Sequence, residues 1–225
     1  MLHRIRTASR PGPAAADPPA RLPEFPAYSD PVERFRAELE SAGGHFLDGR
    51  GEEALLKALR QVLEASGVTE AYWASPGLLE RHGLAFRMRD PKAFERGMCL
   101  CSVHPGLKVE PPLLLWAKPA RGEALEQIGL SVGEARFGVA ETGTVVEEVG
   151  PGGSRVFPLC APAHLLLLSE RNLIMNHAEL FENLEKGMEG SALTLITGPS
   201  RTADIEKTLI VGVHGARQLF VILTR

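Results

Sequence analysis

The stretch Leu193-Thr-Leu-Ile-Thr-Gly-Pro-Ser-Arg-Thr-Ala-Asp-Ile-Glu206 decides how the chain is read. Its apolar run Leu193–Ile196 lacks helical period and predicts a buried strand, with Leu195 in the core. Gly198 and Pro199 break the run. Ser200 or Thr202 then stands ready to cap a helix that starts near Asp204–Glu206 and runs over about residues 203–211. A strand that feeds a helix through such a turn leaves backbone N–H groups unpaired at the helix start. Those groups, with Arg201 beside them, attract anions. Gly198, Ser200, Arg201, Thr202 and Asp204 are therefore candidate ligand contacts. An ordinary capped turn accounts for the same residue types, with Asp204 and Glu206 complementing the helix dipole.

Outward from that loop, the closing order reads strand, helix, a Gly212–Gly215 loop and a final strand over Leu219–Leu223. Upstream, Asn176-x-x-Glu179 caps a helix carrying Leu180, Phe181 and Leu184. Arg136–Ala140, Thr144–Val149 and Leu165–Ser169 read as strands, the first two hairpin-like. Near the start, Asp30-Pro31-Val32-Glu33 combines an N-cap, a proline at the first helical position and an acid in the first turn. Val32, Phe35, Leu39 and Ala42 then recur on one face until Gly43-Gly44. A second amphipathic helix carries Leu55, Leu59 and Val62 and stops at Gly67. Ala71–Ala74 reads as a short strand, Pro76–His82 as a short helix and Leu113–Trp116 as strand or buried edge. Strands separated by helices of this length predict an α/β fold with a mostly parallel sheet and some antiparallel pairing.

Residues 1–29 stand apart as a flexible arm. Six prolines fall among alanines there, and such a stretch cannot bury enough apolar surface to offset its ordering entropy. The folded domain is expected over residues 30–225.

With 225 residues the chain is long enough to bury a sizeable core. A formal net charge of -3 gives no electrostatic case for nucleic acid or an anionic membrane as a principal partner. The longest apolar runs, such as Leu165–Leu168, are too short to span a bilayer. Three cysteines are too few and too odd in number for a disulfide framework, and no secretory signal pattern opens the chain, so a reducing cytoplasm is expected. Cys99-Leu-Cys101 with His104 falls short of a metal set, and no metal is expected on this chain.

A second loop, Ala140-Glu-Thr-Gly-Thr144, turns one strand into the next. Gly143 permits positive φ and close backbone approach, while Glu141, Thr142 and Thr144 present a carboxylate and two hydroxyls from one tight turn. All four are candidate ligand contacts, because open α/β sheets place ligands at strand ends. His164 and His214 are each a candidate general base or ligand, or else a histidine that sets a loop by donating to a carbonyl. Arg155, after Gly152-Gly153, is placed to pair with a loop carboxylate or an anion. No GxSxG elbow, phosphate-binding GxxxxGK[ST] loop or dinucleotide GxGxxG occurs.

On Ala140-Glu-Thr-Gly-Thr144 and Thr197-Gly-Pro-Ser-Arg-Thr-Ala-Asp-Ile-Glu206, supported by Gly212-Val-His-Gly215, the chain resembles the LUD-domain family, LutC/YkgG lactate utilization type. Residues 30–225 carry the resemblance. The family's first loop usually has aspartate where this chain has Glu141, so the charge is kept on a longer side chain. The resemblance implies a three-layer α/β fold similar to the NagB/RpiA/CoA-transferase group. It implies a part in oxidising L-lactate to pyruvate beside partner proteins that hold iron–sulfur clusters, with no cofactor on this chain. It transfers no catalytic residue. Three readings follow: an accessory, non-cluster subunit that binds a small anionic ligand or a partner; an enzyme acting on an acyl, CoA or phosphorylated substrate, with Glu141 as nucleophile or base and Arg201 holding the anion; or a scaffold whose loops are structural.

Overall fold

The structure, a computed structural model, describes residues 29–68, 70–73, 86–88, 98–103, 114–116, 129–149, 161–185, 187, 190, 192–203, 209–211 and 215–225. The first element among the described residues is α1 (Pro31–Ser41), and its start obeys the sequence rule directly. The Asp30 carboxylate accepts from the N–H groups of Val32 and Glu33, both at 3.0 Å. Strand β1 (His45–Asp48) leads through Gly49-Arg50-Gly51 into α2 (Glu52–Ser66), which ends at a left-handed Gly67. Short strands β2 (Glu70–Trp73), β3 (Phe86–Met88), β4 (Met98–Val103) and β5 (Leu114–Trp116) follow.

The centre of the domain is β6 (Leu130–Val139), β7 (Thr144–Val149), β8 (Ala163–Ser169), the two-residue β9 (Leu173–Ile174) and β13 (Gln218–Thr224). Helix α3 (His177–Glu185) and β10 (Ala192–Ile196) lie between β9 and the C-terminal region. The main sheet runs β1-β13-β8-β6-β2-β5-β4-β3, with β7 and β9 also on β6 and β10 on β7. Pairings β1/β13, β13/β8, β8/β6, β6/β2, β2/β5 and β6/β9 are parallel. Those of β6/β7, β7/β10, β4/β5 and β3/β4 are antiparallel. The sheet is mostly parallel, as the alternation of strands and helices predicts.

Side-chain alternation along β8 and β13 divides the core in two. Leu165, Leu167, Phe220 and Ile222 pack under α2 with Leu55, Leu59 and Val62. Leu166, Leu168, Leu219, Val221 and Leu223 pack under α1 with Phe35 and Leu39. A β-bulge between Ala135 and Phe137 reverses the alternation in β6. Ala135 and Ala140 both face α1, whereas Phe137 and Val139 turn to the α3 side with Leu180. The result is three layers: α1, sheet, then α2 and α3.

Two expectations from the opening stretch are corrected. The helix expected over about 203–211 is contradicted at both its ends, while 204–208 lie outside the described residues: β11 (Arg201–Ala203) and β12 (Leu209–Val211) pair antiparallel as a separate ribbon, Arg201 opposite Val211. Thr202, Ile210 and Val211 are β-branched residues, which lose rotamer freedom in a helix and fit a pleated surface. Leu195 is not a core residue. Among the described residues strand β10 pairs only with β7 and lies at an edge, which leaves Leu195 45% exposed. Of the arm expected over residues 1–29, residues 1–28 lie outside the described residues, as do the helix expected over Pro76–His82, His104 and Arg155.

Candidate functional site

The two glycine loops meet. Thr142 and Thr144 share a hydrogen bond at 2.7 Å between their hydroxyls, and Thr144 shares another at 2.7 Å with Thr197. The turn that begins with Glu141 thus lies against the residue that precedes Gly198. Thr144 is buried, so the hydroxyl chain fastens one loop to the other.

The glycines explain why the loops sit so tightly. Gly143 has φ +64, and a Cβ there would run into the backbone of Glu38 and Leu39 in α1. Gly198 has φ +83, and a Cβ there would meet the carbonyl of Ala42, the α1 C-cap. Both bends therefore close onto the last turn of α1, where only a residue without a side chain fits. Their close approach is to protein backbone.

The remaining candidates separate. Glu141 is half-buried, with its carboxylate 3.7 Å from Nδ1 of His177 at the start of α3. The Ser200 N–H donates to the Ala216 carbonyl at 2.8 Å, and its side chain packs against Gly215. The unpaired N–H groups expected at a helix start are not formed here, because Arg201 and Thr202 continue into β11. The helix-dipole argument for an anion at Ser200–Asp204 falls with that helix. Asp204 and His214 lie outside the described residues.

His164 belongs to neither loop. It is buried in β8 with Nδ1 2.7 Å from the Ser131 hydroxyl in β6 and Nε2 3.2 Å from a Glu147 carboxylate oxygen in β7. Gly133 makes room for that carboxylate, since a Cβ there would strike it. Serine, histidine and glutamate are the residue types of a nucleophilic triad. Ser131 and His164 are each 1% exposed and Glu147 6%, so no substrate reaches the hydroxyl. The network satisfies buried polar groups and ties three strands into register. Sequence reasoning passed over Ser131 and Glu147. The available signal was Glu147-Glu148 inside an apolar strand: alternation must turn one of two adjacent carboxylates inward. Glu148 is the outward one and pairs with Arg136.

Sequence reasoning also missed the end of the sheet where parallel strands finish. Asp48 of β1, Ser169 of β8 and Thr224 of β13 close three neighbouring strands there. Arg50 donates from Nε and Nη2 to the Asp48 carboxylate, at 3.0 and 2.6 Å, and from Nη1 to Glu170 at 2.9 Å. That guanidinium holds the Asp48 carboxyl below its ordinary range, and Asp48 in turn raises Arg50. No group of histidine, cysteine or carboxylate side chains suited to a metal occurs among the described residues.

With fold and geometry in place, comparison with known proteins gives the class. Residues 32–224 match the LUD domain model, and the chain belongs to the LUD domain family. It is 33% identical over 101 residues to lactate utilization protein C of Exiguobacterium sp., across 43% of each chain. The alignment thus spans less than half the length of that relative. It is 27% identical over 180 residues to the Geobacillus kaustophilus protein of the same name, covering 76% of this chain and 69% of the other. A crystal structure of a DUF162 family protein from Deinococcus radiodurans shares the fold, with a TM-score of 0.55 at 16% identity over 87% of this chain and 96% of that one. No helix among the described residues is long and apolar enough to cross a membrane.

Proposed function

We propose that this chain serves lactate utilization as the non-cluster, accessory member of a cytoplasmic L-lactate-oxidising system. In this reading its partners hold the iron–sulfur clusters, and it binds a small anionic ligand or one of those partners. The observation that carries the reading is the family match over residues 32–224, together with two relatives named lactate utilization protein C. Deleting this chain alone is expected to abolish growth on L-lactate, and affinity purification from lactate-grown cells is expected to bring down iron–sulfur proteins. Normal growth of the deletion strain would end the proposal.

One observation favours the enzyme reading. Glu141 is a half-exposed carboxylate beside His177, accessible as a nucleophile or base. That reading requires turnover of an acyl or CoA substrate which Glu141→Gln abolishes without loss of folding.

A further inference from the structure

Around Arg50, outside the carboxyl ends of β1, β8 and β13, lies an open hollow of about 540 Å³ lined by Asp48, Arg50, Ala54, Lys57, Glu170 and Arg225. Open α/β sheets place ligands at strand carboxyl ends, and a few hundred cubic ångströms suits a small molecule. Three of the lining side chains are cationic and two anionic.

The arginine is held but not used up. A guanidinium has five N–H donors, and the bonds to Asp48 and Glu170 engage one each on Nε, Nη2 and Nη1. One N–H on each terminal nitrogen remains, and the two carboxylates fix the plane in which they point. Lys57 and Arg225 share the hollow, and neither forms an ion pair with a carboxylate among the described residues. Glu52 and Glu53 stand at the adjoining mouth beside Gly51, which disfavours a multiply charged anion.

We infer that this hollow binds a small monocarboxylate carrying a neighbouring hydroxyl. Its carboxylate takes the two remaining Arg50 N–H groups and the charge of Lys57 or Arg225, and its hydroxyl donates to Asp48 or Glu170. The assignment places the ligand away from the glycine rim. Only the choice of L-lactate as probe rests on the function proposed above.

Calorimetric titration of the full chain with L-lactate tests it, with inorganic phosphate and acetate in parallel. Saturable binding of lactate is expected, weaker for acetate, which lacks the hydroxyl, and weaker for phosphate. Arg50→Ala is expected to weaken lactate binding about tenfold or more. Lys57→Ala, on the exposed face of α2, is the second variant and is expected to weaken it less. Circular dichroism of each variant is expected to match the parent. Absence of lactate binding, or binding unchanged in both variants, would overturn the site. The outcomes separate from those above: a silent titration with a lactate-negative deletion strain removes the hollow and leaves the proposed function standing, whereas lactate binding with normal growth does the reverse.

Discussion

At the glycine rim, backbone meets backbone: Gly143 and Gly198 sit against the end of α1, and threonine hydroxyls bond to one another. At the Arg50 end, charged side chains stand around open space. Both regions are loops at strand ends, and both carry polar residues that suggest binding. The first spends its polar groups on itself and leaves no gap at its glycines. The second keeps donors in reserve. Polar composition alone does not separate a binding loop from a structural one; what the polar groups already touch does.

The contrast breaks most sharply at Gly143. Gly143→Val adds a positive-φ penalty to a collision with the α1 backbone, and a loss of about 4 kcal/mol is expected in urea unfolding. A loss under about 1 kcal/mol would mean that the rim is loose enough to admit a ligand after all. Next comes Glu147→Leu, which leaves His164 Nε2 without its carboxylate; about 1–3 kcal/mol is expected from the same measurement. Asp30→Ala removes the α1 cap and is expected to cost about 1 kcal/mol, read as a lowered Tm.

Smallest in stability is Arg50→Ala. Its ion pairs are a third to a half exposed, so screening limits the loss to under about 1 kcal/mol. The same variant carries a pH signature. Arg50 depresses the Asp48 carboxyl, so the associated stability is present above the ordinary aspartate range and is lost as pH falls through the depressed value. The difference in Tm between parent and Arg50→Ala is therefore expected to shrink as pH is taken from about 6 to about 3. A difference that grows on acidification would show that the Asp48–Arg50 pair does not set it.

Local chemistry was legible where neighbours in sequence decide the outcome. The Asp30-Pro31 start bonds as capping rules require, and so does Asn176, whose side chain accepts from the Glu179 N–H at 3.0 Å. Residues 203–211 misled because Lys207 and the acids there are acceptable helix formers, while pairing between Arg201–Ala203 and Leu209–Val211 satisfies the backbone another way. Leu195 misled because an apolar residue carries no mark of whether its strand lies at an edge.

The order of polar caps, glycines and apolar periods determined by itself that this is an α/β chain with strand-rich centre and helices at Asp30, Leu55 and Asn176, since each signal acts within a few residues. Only the tertiary structure decided that Gly143 and Gly198 serve α1, that Ser131, His164 and Glu147 meet, and that Arg50 reaches Glu170 across 120 positions. Those contacts join side chains distant in sequence, and their free energy depends on burial and geometry that exist only once the sheet has assembled.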